Sequence, residues 1–195
     1  KAHRNVQSFV LTADDKLWAW GKRGAVLHAA VTKSDSMQSI ILPRGIHAMD
    51  VKTLFATTEA LAMLTCNGDV YVMAQHESMR GQSTLTSFNS WTRVRTGAGA
   101  KAKSLDNIIV LRGSASGFIA LDSEGQLWTW GRSTYLGDNN PAQSRAFAEK
   151  MILPSNSGSI KMVGATGSLT AGEITYYALY GDGRLFALGN GMGGQ

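Results

Sequence analysis

The feature that most constrains this sequence is a hairpin pattern that occurs four times at nearly equal intervals. Each copy has a short apolar segment, a turn of polar or glycine residues and a second apolar segment that ends in a small residue. The copies are SFVLTADDKLWAWG (8–21), LAMLTCNGDVYVMA (61–74), FIALDSEGQLWTWG (118–131) and YYALYGDGRLFALG (176–189). Their second segments begin 53, 57 and 58 residues apart, at Leu17, Val70, Leu127 and Leu185. This regularity predicts a repeat protein in which each copy forms the same supersecondary unit.

The aligned columns of the hairpin predict which residues pack between units. Alternate residues of a strand share a face, so the two bulky columns of the second strand lie on one side of each hairpin. These columns are Trp18, Tyr71, Trp128 and Phe186, followed two residues later by Trp20, Met73, Trp130 and Leu188. The turn column is Asp14-Asp15, Asn67-Gly68, Glu124-Gly125 and Asp182-Gly183. We therefore predict that the tryptophans pack neighbouring sheets together and that these carboxylates shape turns.

Further strands complete each unit. Apolar segments ending near a proline occur at SMQSIILP (36–43) and FAEKMILP (147–154), and SWTRVRTG (90–97) occupies the same place in the second unit. Val51–Ala56, Ile108–Leu111 and Ile160–Val163 also have strand character, whereas Ser144–Lys150 has the pattern of one short helical turn. About four short strands per unit predict an all-β fold, a β-propeller with one blade per unit. The predicted units are 1–46, 47–104, 105–158 and 159–195.

The repeat columns resemble those of the regulator of chromosome condensation repeat family. The family core reads Ala-Leu-x-x-[Asp/Asn]-Gly-x-Val-[Tyr/Trp]-x-Trp-Gly and is followed by Asn-x-x-Gly-Gln-Leu-Gly. The matching residues are Ala120-Leu121, Gly125, Leu127-Trp128 and Trp130-Gly131, then Ala178-Leu179, Asp182-Gly183, Leu185-Phe186, Gly189-Asn190 and Gly194-Gln195. The resemblance implies a seven-bladed propeller, of which this chain would supply roughly three to four blades. The rest of a larger chain, or a second chain, would then be needed to close it.

The repeats also depart from that family. The histidine that usually precedes the core is replaced by Gln7, Ala60, Gly117 and Thr175. In this respect they resemble a divergent bacterial type found in large secreted or cell-surface proteins. The resemblance therefore implies an extracellular or cell-surface location, with a cytoplasmic location as the alternative.

Motifs for catalysis or cofactor binding are not found in the sequence. The histidines lack the spacing of a zinc site, and the single cysteine, Cys66, excludes an internal disulfide. The glycine-rich end, GNGMGGQ, follows the register of the repeat and predicts a turn between strands. We therefore predict no catalytic, cofactor-binding or metal residues. A segment apolar enough to span a membrane is also lacking.

The sequence favours a non-enzymatic recognition or adhesion module that binds a protein or glycan partner through its loops. The candidate loops are Lys22–Ser36, Gln75–Asn89, Arg132–Ala146 and Asn156–Ser159, because one face of a repeat array usually carries the binding site. Nucleic acid is not the expected partner, although the formal net charge is +5. The basic stretch 93–103 is interpreted as a flexible, solvated connection between blades, with contact to an anionic partner as the alternative. Alternatives are a guanine-nucleotide exchange factor, an intracellular interaction scaffold, or a propeller that carries a hydrolase or lyase site.

Overall fold

The structure is a computed structural model that describes residues 7–22, 33–57, 60–82, 90–114, 116–132, 135–137, 139, 144–154, 158–167 and 174–189. Within these residues the chain forms sixteen β-strands and three single-turn 3-10 helices. The strands are β1 Gln7–Leu11, β2 Leu17–Lys22, β3 Lys33–Ile40, β4 Val51–Ala56, β5 Ala60–Thr65, β6 Val70–Ala74, β7 Thr92–Arg93, β8 Arg95–Thr96, β9 Lys103–Ser104, β10 Ile108–Gly113, β11 Gly117–Asp122, β12 Leu127–Gly131, β13 Arg145–Lys150, β14 Ile160–Gly167, β15 Ile174–Tyr180 and β16 Leu185–Gly189. The helical turns are Ala48–Asp50, Glu77–Met79 and Gly99–Lys101.

The four predicted hairpins lie in four separate sheets. The sheets have the strand orders β1-β2-β3, β4-β5-β6-β7, β10-β11-β12-β13-β8-β9 and β14-β15-β16. We call them blades 1 to 4 and count β10 to β13 as blade 3, since β8 and β9 come from the connection before it. In each hairpin the two strands pair antiparallel in the same register, for example with Leu121 opposite Leu127 and Phe118 opposite Trp130. The predicted strand Val51–Ala56 has the bounds of β4, and the predicted strands at 108 and 160 extend slightly further as β10 and β14.

The apolar core lies between consecutive blades and uses both faces of the hairpins of blades 2 and 3. In blade 3 the bulky face, with Phe118 and Trp130, packs against blade 2, and the other face, with Ile119 and Leu127, packs against blade 4. This arrangement confirms for blades 2, 3 and 4 that the bulky columns pack sheets together, whereas Trp18 and Trp20 of blade 1 belong to none of the apolar clusters of the described residues. The clusters include Leu17, Ala19, Leu61 and Met73 between blades 1 and 2; Val70, Val72, Phe118 and Trp130 between blades 2 and 3; and Leu121, Leu127, Tyr176 and Ala178 between blades 3 and 4.

The first strands of blades 2, 3 and 4 carry a β-bulge at the same place. The register shifts between Val51 and Thr53 in β4, between Ile108 and Val110 in β10, and between Ile160 and Met162 in β14. The extra residues are therefore Lys52, Ile109 and Lys161, and all three are exposed. A bulge redirects a side chain away from the regular alternation, so these residues leave the interface between blades.

Two sequence interpretations are wrong. The stretch 93–103 is not a flexible connection: β8 and β9 form a hairpin whose first strand pairs parallel with β13, with Thr96 opposite Ala148. The hairpin thus protects the outer edge of blade 3 with a strand from the preceding connection. Residues 145–150 are not helical, because they pair with β12 and with β8 and become strand β13.

Candidate functional site

The fold sorts the connections into two faces. Because strands alternate direction within a blade, the hairpin turns and the linkers that lead to the next blade lie at the same end. We call this end the turn face; it contains residues 12–16, 41–50, 66–69, 105–107, 123–126, 151–154, 158–159 and 181–184. The opposite end, which we call the loop face, contains the connections that follow β2, β6 and β12.

The loops predicted to bind a partner belong mainly to the loop face. Residues 23–32, 83–89, 133–134, 138 and 140–143 lie outside the described residues. Most of Lys22–Ser36, about half of Arg132–Ala146 and the second half of Gln75–Asn89 are therefore not located. The same holds for 155–157 at the start of Asn156–Ser159, a linker that belongs to the turn face. The turn face, in contrast, lies mostly within the described residues.

Backbone hydrogen bonds hold the hairpin turns of blades 2, 3 and 4 to the residue that precedes the first strand of the same blade. In blade 2 the Cys66 N–H donates to the Asp50 carbonyl at 2.7 Å. The equivalent bonds join Ser123 to Asn107 at 3.0 Å and Gly181 to Ser159 at 2.9 Å. These bonds fix three of the four hairpin turns in position, and with them the side chains that project from those turns.

The acidic residues of the turns have structural roles in this framework. The Asp122 carboxylate accepts hydrogen bonds from the Gln126 N–H at 2.9 Å and from the Trp128 indole at 2.8 Å. Asp14 pairs with Lys16, and Asp182 accepts from the Arg184 guanidinium at 2.7 Å. These contacts agree with the prediction that the turn column shapes hairpins.

A contact between Asp15 and His47 joins the turn of blade 1 to the linker before blade 2. The Asp15 carboxylate lies 2.7 Å from His47 Nδ1 and accepts the Ala48 N–H at 2.5 Å. The hydrogen bond to Asp15 raises the pKa of His47 above its ordinary value of 6.5. The Ala48 amide, and then His47, lower the pKa of Asp15 below 3.8. Sequence reasoning missed this pair, since 32 residues separate its members.

This pair predicts a pH dependence. Because the folded protein favours protonated His47, its stabilising contribution is fully present below pH 6.5 and is lost as the pH rises through the raised pKa. At the acid end, the contribution of Asp15 is present above pH 3.8 and is lost as the pH falls through its lowered pKa. An NMR titration of the His47 ring should give a midpoint above 6.5 that returns toward 6.5 in Asp15→Asn. A wild-type midpoint at or below 6.5 would contradict the contact.

Arg93 forms a second connection on the turn face. Its guanidinium pairs with Asp69 of the blade 2 turn and lies 2.9 Å from the Asp106 carboxylate in the linker to blade 3. Both pairs are partly exposed, so their contribution to stability is small. Their effect is to occupy two of the carboxylates on this face.

Large apolar side chains project from the same face into solvent. Ile41 and Met49 are each 86% exposed, and Ile152 is 59% exposed. Ile41 and Ile152 occupy the same place after the last strand of blades 1 and 3, in the segments IILP and MILP. Sequence reasoning assigned those segments to strands and missed the exposure of their second residue, although its repetition is a signal in the sequence.

The described residues contain no group of three or more His, Cys, Asp or Glu side chains that could hold a metal ion. Cys66 is exposed and unpaired. No helix in the described part of the chain has the length and apolarity needed to cross a membrane.

No protein-family model and no curated protein sequence matches this chain. Solved structures do match its fold. Yeast RCC1 (Prp20) in complex with Kap60 matches with a TM-score of 0.66 and 15% identity, over 95% of this chain and 40% of that one. Prp20p of Saccharomyces cerevisiae gives a TM-score of 0.68 and 15% identity, over 95% and 41%. Human WBSCR16 gives 0.64 and 17%, over 96% and 46%.

These matches show the fold. The chain has the RCC1-like β-propeller fold, and the all-β propeller predicted from the repeats is confirmed. The chain spans less than half the length of each of these structures.

Proposed function

We propose that this chain is part of a non-enzymatic β-propeller that binds another protein through its turn face. The observation that carries the proposal is the exposure of Ile41, Met49 and Ile152 on a face whose turns are fixed by hydrogen bonds. Apolar side chains grouped on a rigid surface are typical of protein-interaction sites. A glycan partner is less favoured, since aromatic side chains such as Trp130 pack inside the blades.

Completion of the propeller is part of this proposal. Leu17, Val70 and Leu127 are fully buried against the following blade, whereas the aligned Leu185 of blade 4 is 63% exposed. An exposed face equivalent to three buried ones favours a further blade, from the rest of a larger chain or from a second chain. The proposed repeat units remain 1–46, 47–104, 105–158 and 159–195.

The turn face is tested by replacing Ile41 and Ile152 together with serine in the intact protein. We expect the variant to bind the proteins captured by the wild type at least fivefold more weakly, because truncating an anchor residue costs more than about 1 kcal/mol. Met37→Ser is the matched control, since Met37 is 54% exposed on the outer strand β3, away from the turn face. Equal capture by the double variant and the wild type would overturn the proposal.

Guanine-nucleotide exchange on a small GTPase is the second candidate. It is favoured by the match to Prp20p, a protein studied for its binding to Gsp1p and histones. The intact protein would be incubated with GTPases loaded with a fluorescent nucleotide. Accelerated release of the nucleotide would indicate exchange activity. Binding of a GTPase without faster release would indicate an interaction scaffold.

The comparisons give no support for a secreted or cell-surface adhesion role, for the divergent bacterial type or for an extracellular location, and these remain predictions from the repeats. A cytoplasmic location is the alternative that suits the exchange-factor candidate.

A further inference from the structure

We propose that the bulge residues Lys52, Ile109 and Lys161 form a cationic and apolar rim, and that this rim binds an acidic, extended segment of a partner protein. This inference deepens the proposed function by naming the chemistry of the partner. The first strands of the blades line the central channel of a propeller, so the bulges of β4, β10 and β14 lie at one end of that channel.

The position of the bulges brings charged and apolar side chains to the same rim. Each bulge lies within the first two or three residues of its strand, next to the turn face. Lys52 and Lys161 occupy the bulge in blades 2 and 4, and Ile109, 42% exposed, occupies it between them. Met49 precedes β4 by two residues and is 86% exposed. The rim therefore offers ammonium groups beside uncovered apolar surface.

The hydrogen bond made by Lys52 defines the geometry of the rim. Its Nζ donates to the Ile109 carbonyl at 2.9 Å, across the boundary between blades 2 and 3. The bond holds the ammonium over the free edge of the next inner strand while two of its protons remain available. Lys161 has the equivalent place in blade 4 and forms no ion pair with a described carboxylate.

The charge of the rim favours an acidic partner segment. The strands β4, β10 and β14 contain Lys52, Arg112 and Lys161 and lack Asp and Glu. Two carboxylates precede these strands on the turn face: Asp50 accepts the His47 N–H at 2.9 Å, and Asp106 pairs with Arg93. An incoming carboxylate therefore meets positive charge, and an adjacent apolar side chain meets Met49 and Ile109. A segment with alternating acidic and apolar residues fits this surface.

The test uses the intact protein and a short fluorescein-labelled peptide rich in Asp and Glu with a central Leu, measured by fluorescence anisotropy. We expect binding that weakens with salt, and a loss of about tenfold when Lys52 and Lys161 are both replaced by glutamine. Ile109→Ser should weaken binding without changing the salt dependence. Lys103→Gln removes the same charge from the outer strand β9 and should leave binding unchanged.

Two further arms make the result decisive. Lys161→Gln alone must weaken binding, because this variant leaves the Lys52 bond intact and a thermal melt can confirm that the fold is unchanged. A single-stranded oligonucleotide serves as a phosphate probe, and binding equal to that of the peptide would overturn the inference in favour of unspecific charge attraction. Unchanged peptide binding in both lysine variants would also overturn it. If Ile41 and Ile152 still control partner capture in that case, the proposed function stands without this inference.

Discussion

Replacement of Trp130 by alanine is expected to lower the free energy of unfolding by about 3–5 kcal/mol. The Trp130 side chain is fully buried between blades 2 and 3. Its ring stacks on Phe118 with a centroid distance of 5.1 Å, and its indole N–H donates to the Met79 carbonyl at 3.3 Å. Alanine would leave a cavity on one side of the boundary and an unsatisfied carbonyl on the other.

Urea unfolding followed by circular dichroism measures this effect, since the chain has five tryptophans and their fluorescence would be mixed. Trp130→Phe is the control: it keeps the stacked ring, loses the hydrogen bond and should cost about 1 kcal/mol. A loss below about 1 kcal/mol in Trp130→Ala would contradict the packing of this boundary.

Substitution of Gly131 by alanine is expected to cost about 2–4 kcal/mol. Gly131 has a φ of 140°, and a Cβ at this position would lie 2.4 Å from the Ser116 carbonyl oxygen and 2.5 Å from the Gly117 Cα. Both are backbone atoms, of Gly117 at the start of β11 and of the residue before it, so the clash cannot be relieved by a side-chain rotation. The same column holds Gly189 in blade 4, where a Cβ would likewise clash with a backbone carbonyl, that of Ile174.

Gly125→Ala separates the two causes of that loss. Gly125 also has a positive φ, 85°, but its Cβ would meet nothing within 4 Å. Its substitution should therefore carry the conformational cost alone, about 1 kcal/mol. Thermal or urea unfolding of both variants measures the difference. A Gly131→Ala variant no less stable than Gly125→Ala would contradict the backbone clash at Gly131.

Much of the fold could be predicted from the sequence because each repeat is specified by residues that lie close together in the chain. A turn with Gly125 or Gly183 between two apolar segments specifies a hairpin, and the spacing of the copies specifies a repeated blade. The aromatic columns also predicted which face of the hairpin carries the bulky side chains that pack neighbouring sheets together. These signals depend on residues close in the chain, so a single sequence contains them.

Features that depend on distant residues could not be predicted. Residues 145–150 have helical spacing, yet pairing with β12 and β8 makes them a strand, since tertiary pairing overrides a weak local preference. The pairing of Thr96 with Ala148 joins parts of different units and has no local signal. The same applies to the candidate site, because the ammonium group of Lys52 is positioned by the Ile109 carbonyl, 57 residues away.

A double-mutant cycle across the boundary between blades 2 and 3 tests the central claim most directly, namely that each hairpin packs its bulky face on the preceding blade. Phe55 of β4 and Phe118 of β11 have ring centroids 6.3 Å apart, with planes inclined at 59°. The free energies of unfolding of Phe55→Ala, Phe118→Ala and the double variant should give a coupling of about 0.5–1.5 kcal/mol. Additive losses, with no coupling, would contradict this order and facing of the blades.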